Sequence, residues 1–298
     1  YFSVFFIYYC IIYYIYMTNN KNSTNTKPSF KETLNKSLNA GLAGSMAMCI
    51  QVSSLMWLRT TMNYQYRYGK TMPQAFKHLY NDGGIRRFYR GYAPALLVAP
   101  LSRFGDTMTN SYALQSLENS TLPTSIKTMG GSFLAATWRV CMMPIDALKT
   151  TLQVEGKPGL KLLKNKINKN GVKILFNGTI AQTSATFVGH YPWFLTYNVL
   201  NKKIPEYDDG LKTLLRNGFI GFNSAVISDC CSNSLRVVKT TKQTSQTNIS
   251  YNEAVKMIVE QDGLKGLFGR GLQTRILTNG IQGIIFTICW KHIEKTFF

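Results

Sequence analysis

Three ten-residue phrases recur at an interval of 90 residues: SLMWLRTTMN at 54–63, PIDALKTTLQ at 144–153 and SLRVVKTTKQ at 234–243. Each contains a basic residue followed by two threonines: Arg59-Thr60-Thr61, Lys149-Thr150-Thr151 and Lys239-Thr240-Thr241. Three matches at equal spacing require three copies of one structural unit that bury their apolar faces against one another. A second phrase follows each first one, GGIRRFYRG at 83–91, NGVKILFNG at 170–178 and DGLKGLFGRG at 262–271, and closes on Gly91, Gly178 or Gly271. Upstream, Gly41, Gly131 and Gly221 are each followed four residues later by Ser45, Ala135 or Ala225. That small-xxx-small spacing lets helix backbones approach closely inside a membrane.

Each unit reads as a long helix, a basic loop with a short helix, and a second long helix. The long helices are expected at about 33–62, 92–117, 123–153, 179–203, 211–243 and 272–296. Each exceeds the roughly 20 residues that cross a bilayer. Six spans put both ends of the core on one side. None is uniformly apolar, and mean hydropathy is only −0.08, so each must turn a polar face toward neighbours or water. Residues 1–29 read as an N-terminal extension, with Met17 the expected start and an extra membrane anchor over 1–16 the rival reading.

Lys and Arg number 34 against 14 Asp and Glu in 298 residues, a formal +20. Such a charge suits nucleic acid, an acidic surface or an anionic solute. Its placement decides between them. The loops inside the units (64–91, 154–178 and 244–271) hold fifteen basic residues, whereas the connections at 115–125 and 201–211 hold only Lys202 and Lys203. This is the asymmetry of a polytopic membrane protein, and no nucleic-acid motif accompanies it. The six cysteines show no metal or redox spacing,, and no metal or cofactor is expected.

PIDALKTTLQ resembles the signature of the mitochondrial carrier family: proline, any residue, acid, two residues, base. The aromatic–basic–glycine phrase Tyr89-Arg90-Gly91 belongs to the same signature. The resemblance covers about residues 30–298, divided as 30–118, 119–205 and 206–298. It implies an all-α membrane protein with six transmembrane helices in pseudo-threefold array around a central cavity, and three short matrix-side helices. It also implies the inner mitochondrial membrane, termini toward the intermembrane space, and alternating access. Cardiolipin contacts near Tyr89, Arg90, Gly91, Gly178 and Phe268 are a further implication.

The chain departs from that pattern at both gates. The family closes its matrix side with three acid–base pairs. Here proline and acid survive only as Pro144 and Asp146, while Ser54, Ser234, Met56 and Arg236 occupy the equivalent places. By family pairing, Asp146 should meet Lys239, Lys149 should face Met56, and Arg59 should face Arg236 as like charges. The polar braces remain as Gln153 and Gln243, with Asn63 in the first repeat. On the cytoplasmic side, Tyr197 with Asn198 and Lys291 with Glu294 are what is left of an aromatic–acid–base pattern.

Candidate solute contacts lie five residues before the signatures, at Cys49, Arg139 and Asp229. In the family this level faces the cavity. Arg139 suits bidentate anion recognition and Asp229 an ammonium group; the alternative is a mutual salt bridge between them. On the even-numbered helices the expected cavity positions include Ser102, Asp106, Trp193, Gln282 and Phe286, with His190 adjacent and Arg275 one turn into the last helix. His190 could bond a solute or be structural, and Trp193 could stack on a solute or simply pack. The resulting expectation is a secondary transporter of a small anionic or zwitterionic metabolite. The rival is a non-transporting scaffold or subunit of a mitochondrial membrane complex. An enzyme is disfavoured, because the sequence contains no GxSxG, P-loop or HExxH motif,.

Overall fold

A computed structural model describes residues 30–102, 105, 133, 137–205, 207 and 210–297. Among these, helix is the only regular structure. The elements are α1 (Phe30–Tyr68), α2 (Met72–Phe88), α3 (Met143–Glu155), α4 (Pro158–Asn170), a 3-10 turn (Val172–Phe176), α5 (Thr179–Lys203), α6 (Gly210–Thr244), α7 (Tyr251–Gly269) and α8 (Leu272–Phe297). Residues 92–102 and 137–141 are also helical. Long and short helices thus alternate as the repeat pattern predicts.

Proline decides where the first long helix of a repeat breaks. Proline lacks the N–H that would continue the ladder. In the second repeat the helical run ends at Met142, and α3 restarts with Pro144 in its first turn. At the equivalent positions α1 has Ser54 and α6 has Ser234, and both helices run through, for 39 and 35 residues.

The six threonines of the recurring phrases are all buried. Around them the repeats close into a ring. A basic side chain of each short helical segment reaches the carbonyls at the end of the next repeat's long helix. Arg87 donates to the carbonyls of Gln153 (2.8 Å) and Val154 (2.7 Å). Lys166 donates to those of Gln243 (3.0 Å) and Ser245 (2.6 Å). Arg270 donates to that of Arg67 (3.2 Å). Each satisfies carbonyls that a helix end leaves without partners. Asp82 and Asp262 hold Arg87 and Arg270 in place.

The closing glycines follow the same order. Gly91, Gly178 and Gly271 have φ of +78°, +89° and +66°. A Cβ there would come within 2.8 Å of the Lys149 carbonyl, 2.9 Å of Lys239 Cγ and 2.7 Å of the Tyr66 ring, respectively. Both the left-handed backbone and the close approach therefore require glycine. First repeat meets second, second meets third, and third meets first.

Small residues bring α5 onto α6. Gly221, Ser224, Ala225, Ser228 and Ser232 are buried, and the Ser228 hydroxyl donates to the Gly189 carbonyl at 2.7 Å. The small-xxx-small expectation can be followed only in this repeat; Gly131 and Ala135 lie outside the described residues. A separate apolar cluster of Met62, Tyr66, Val237, Val238, Ala254 and Ile258 joins α1 to α6 and α7.

By hydropathy alone, none of the described helices is long and apolar enough to cross a membrane. The polar positions responsible include Asp229, Arg236, Lys239 and Arg275, which are buried or half-buried within the protein.

Candidate functional site

The recurring basic residues converge on one cavity. It has a volume of about 100 Å³ and is lined from all three repeats. Among the described residues its wall carries Arg59, Arg139, Lys149, Arg236, Lys239 and Arg275 and one carboxylate, Asp146. Bringing six cations to one small space is costly unless carboxylates, hydrogen-bond acceptors or a bound anion compensate them.

Asp146 answers two of them. It accepts from Lys239 on α6 at 2.6 Å and from Lys149, one turn along its own helix, at 2.5 Å. Just beyond, Asn63 donates to the Gln153 amide oxygen at 2.5 Å, and Gln153 donates to the Met56 sulfur at 3.5 Å. Gln243 is buried, and among the described residues neither atom of its amide has a hydrogen-bond partner. A second knot lies in the third repeat. The fully buried Asp229 accepts from Arg275 Nε at 2.7 Å and from the Asn279 amide, and lies 3.7 Å from Arg236. The Gln282 amide, oriented with its oxygen toward Arg59, accepts from Arg59 Nε at 3.1 Å.

A sequence profile of the mitochondrial carrier protein family matches residues 30–121, 118–208 and 211–298. The chain belongs to the mitochondrial carrier family. Mitochondrial substrate carrier family protein X of Dictyostelium discoideum is 22% identical over 283 residues, covering 91% of this chain and 93% of that protein. A mitochondrial carrier-like protein of Acanthamoeba polyphaga mimivirus is 25% identical over 140 residues, 47% of this chain. Kidney mitochondrial carrier protein 1 of Xenopus laevis is 26% identical over 187 residues, 55% of this chain. The chain thus spans 55% of the viral relative's length and 62% of the frog relative's.

Set against the carrier signature, the structure rearranges the expected pairs. Asp146 meets Lys239, and Lys149 shares that carboxylate. Arg59 and Arg236 were expected to face one another as like charges. Instead Arg236 lies beside Asp229 and Arg59 beside Gln282. Each cation finds an acceptor within the third repeat, which relieves the repulsion. The expected level of Arg139 and Asp229 is also redistributed: among the described contacts, Asp229 goes to Arg275, Asn279 and Arg236. No solvent reaches Asp229, so it offers no open carboxylate to an ammonium group.

Arg139 and Arg275 line the cavity, as does Ser102. Cys49 is half-buried and lies off the lining. Trp193 is buried and stacks on Tyr197 with ring centroids 5.0 Å apart, within α5. Asn198 is exposed. Asp106 lies outside the described residues, as do the side chains of His190, Phe286, Lys291 and Glu294.

Sequence reasoning missed Tyr66, Gln182 and Thr186, which also line the cavity. Tyr66 carried a readable signal. Positions 59, 62, 63 and 66 fall on one helical face, and all four line the cavity.

Proposed function

We propose that this carrier moves a small anionic metabolite across the mitochondrial inner membrane by alternating access, without covalent catalysis. The observation that carries the reading is one cavity, lined by all three repeats, in which, among the described residues, six cations face one carboxylate. Burial of Asp229 argues for the anionic half of the earlier expectation over the zwitterionic half. Arg139 is the proposed solute contact. Asp146, Lys149 and Lys239, braced by Asn63 and Gln153, are the proposed matrix gate. The carrier repeats are taken as 30–118, 119–205 and 206–298, each contributing two membrane helices whose polar positions turn inward. Core termini then lie toward the intermembrane space, and the basic loops toward the matrix. Exposed Tyr89 and Phe268, beside the packed glycines Gly91 and Gly178, are proposed contacts for an acidic lipid such as cardiolipin, with Arg90 supplying charge.

Thermal unfolding of the purified protein against a metabolite panel tests this reading, because a ligand that favours the folded state raises apparent stability. An anion class that raises Tm in the native protein, with the rise lost in Arg139→Ala while that variant still folds, is the expected outcome. No shift for any anion would favour the non-transporting scaffold.

A further inference from the structure

The three loop cations that close the ring are not alike. Arg87 and Arg270 are guanidinium groups, each paired with a carboxylate, Asp82 at 2.5 Å and Asp262 at 2.7 Å. A guanidinium keeps its charge throughout the working pH range. Lys166 is a primary amine. It is 4% exposed, and it joins the second repeat to the third through the carbonyls of Gln243 and Ser245. Among the described residues no carboxylate pairs with it. In the glycine phrase, Asn170 stands where the other repeats have Asp82 and Asp262. The Asn170 amide donates to the Lys166 backbone carbonyl at 3.2 Å and brings no charge.

Charged groups act on Lys166 from three other elements. Arg67 in the last turn of α1 and Lys242 in the last turn of α6 repel its ammonium. Glu155 at the end of α3 attracts it, but that carboxylate also accepts from the Tyr68 hydroxyl at 2.8 Å. Burial, and then Arg67, hold the group down at about 8 from 10.5. A neutral amine has two N–H donors, and two carbonyls receive them. The third proton brings a charge that burial disfavours.

We propose that Lys166 is a pH-responsive latch between the second and third repeats: unprotonated, it holds them together on the side of the basic loops, and protonated, it favours their separation. The proposal rests on the alternating-access reading. The bonds of Lys166 cross from one repeat to the next, so parting the repeats returns the amine to water and to its ordinary basicity. The closed junction therefore binds the proton more weakly than the open one. Acid favours opening and alkali favours closure. For a group that moves from about 8 when closed to 10.5 when open, the open-to-closed ratio rises about tenfold as pH falls from 9 to 7. The guanidinium caps of the other two junctions carry no such response.

The test is pulsed electron resonance on the full chain in liposomes. Spin labels are placed at Lys164→Cys and Asn252→Cys, exposed positions on α4 and α7, with the six native cysteines replaced. At constant ionic strength, the population with widely separated labels should gain about tenfold over the closely spaced one between pH 9 and pH 7. Lys166→Met, permanently neutral, and Lys166→Arg, permanently charged, should each abolish that response. If Lys166→Met does not fold, Lys166→Arg keeps the cation and its donors and still decides. Two populations whose ratio ignores pH, or follows it equally in the Lys166 variants, overturn the latch and leave alternating access standing. A single separation at every pH in all three proteins overturns both.

Discussion

Gly178 adopts φ of +89° with Lys239 Cγ 2.9 Å from where a Cβ would lie, whereas Gly171, at φ +74°, has open space around that point. The left-handed backbone penalises both substitutions, and the clash penalises only one. Gly178→Ala should cost about 2–4 kcal/mol and Gly171→Ala about 1–2 kcal/mol. Equal Tm losses for the two variants would contradict the packing role. Lys166 offers a second residue-scale test, outside the proposed spans. Burial, and then the nearby charge of Arg67, push its ammonium down to about 8 from 10.5. Between those values the unfolded chain holds the proton and the folded chain does not, so stability rises with pH. Tyr68 is raised from 10.0 by burial and then by Glu155, and it acts in the opposite direction only above about pH 10. A Tm rise from pH 8 to 10 that flattens in Lys166→Met is the expected result. The closing glycines were legible as a recurring phrase. The partners of Asp229 were not, because Arg275 and Asn279 lie 46 and 50 residues away, and no sequence period links them to it.

At the scale of elements, helix boundaries were legible unevenly: α1 runs on to Tyr68, past the expected end near 62, and the expected helix over 123–153 is broken before α3. Expected spans at 179–203 and 272–296 match α5 and α8 to within a residue. Periodicity and bounding glycines carried that information. Pro144 is the one proline at this level of the three repeats' first long helices, and among the described residues the break in them falls beside it. Replacing it with Ala should let the helix run on through Met142, as Ser54 and Ser234 do in α1 and α6, read as higher helicity by circular dichroism. Unchanged helicity would assign the break to packing. Asp146 is the ionic tie between α3 and α6. Asp146→Asn leaves Lys149 and Lys239 close together without their shared carboxylate, and should cost about 3 kcal/mol. Thermal unfolding reads this directly, and a loss within error would make the pair dispensable. Which acceptor each cation takes was beyond reach of sequence. A signature fixes which residues share a level, but Lys149 reaches its acid within its own helix, and Arg236 reaches back nearly two turns to Asp229,.

Across the whole molecule, three repeats close into a ring whose loop cations cap the next repeat's long helix and whose glycines admit that close contact. The 90-residue interval made the threefold order legible. The low mean hydropathy reflects both the fifteen basic residues of the loops and charges such as Asp229, Arg236, Lys239 and Arg275, which are buried or half-buried within the protein. A surplus of cations around one cavity is the central claim about function, and it predicts directional selectivity for anions. Purified protein reconstituted into liposomes, preloaded with unlabelled solute and offered labelled anions, cations and neutral solutes, measures this most directly. Saturable uptake of an anion, lost in Arg139→Ala with the variant still inserted and folded, is the predicted result. Uptake of cations in preference to anions, or none by the native protein across the panel, would contradict it.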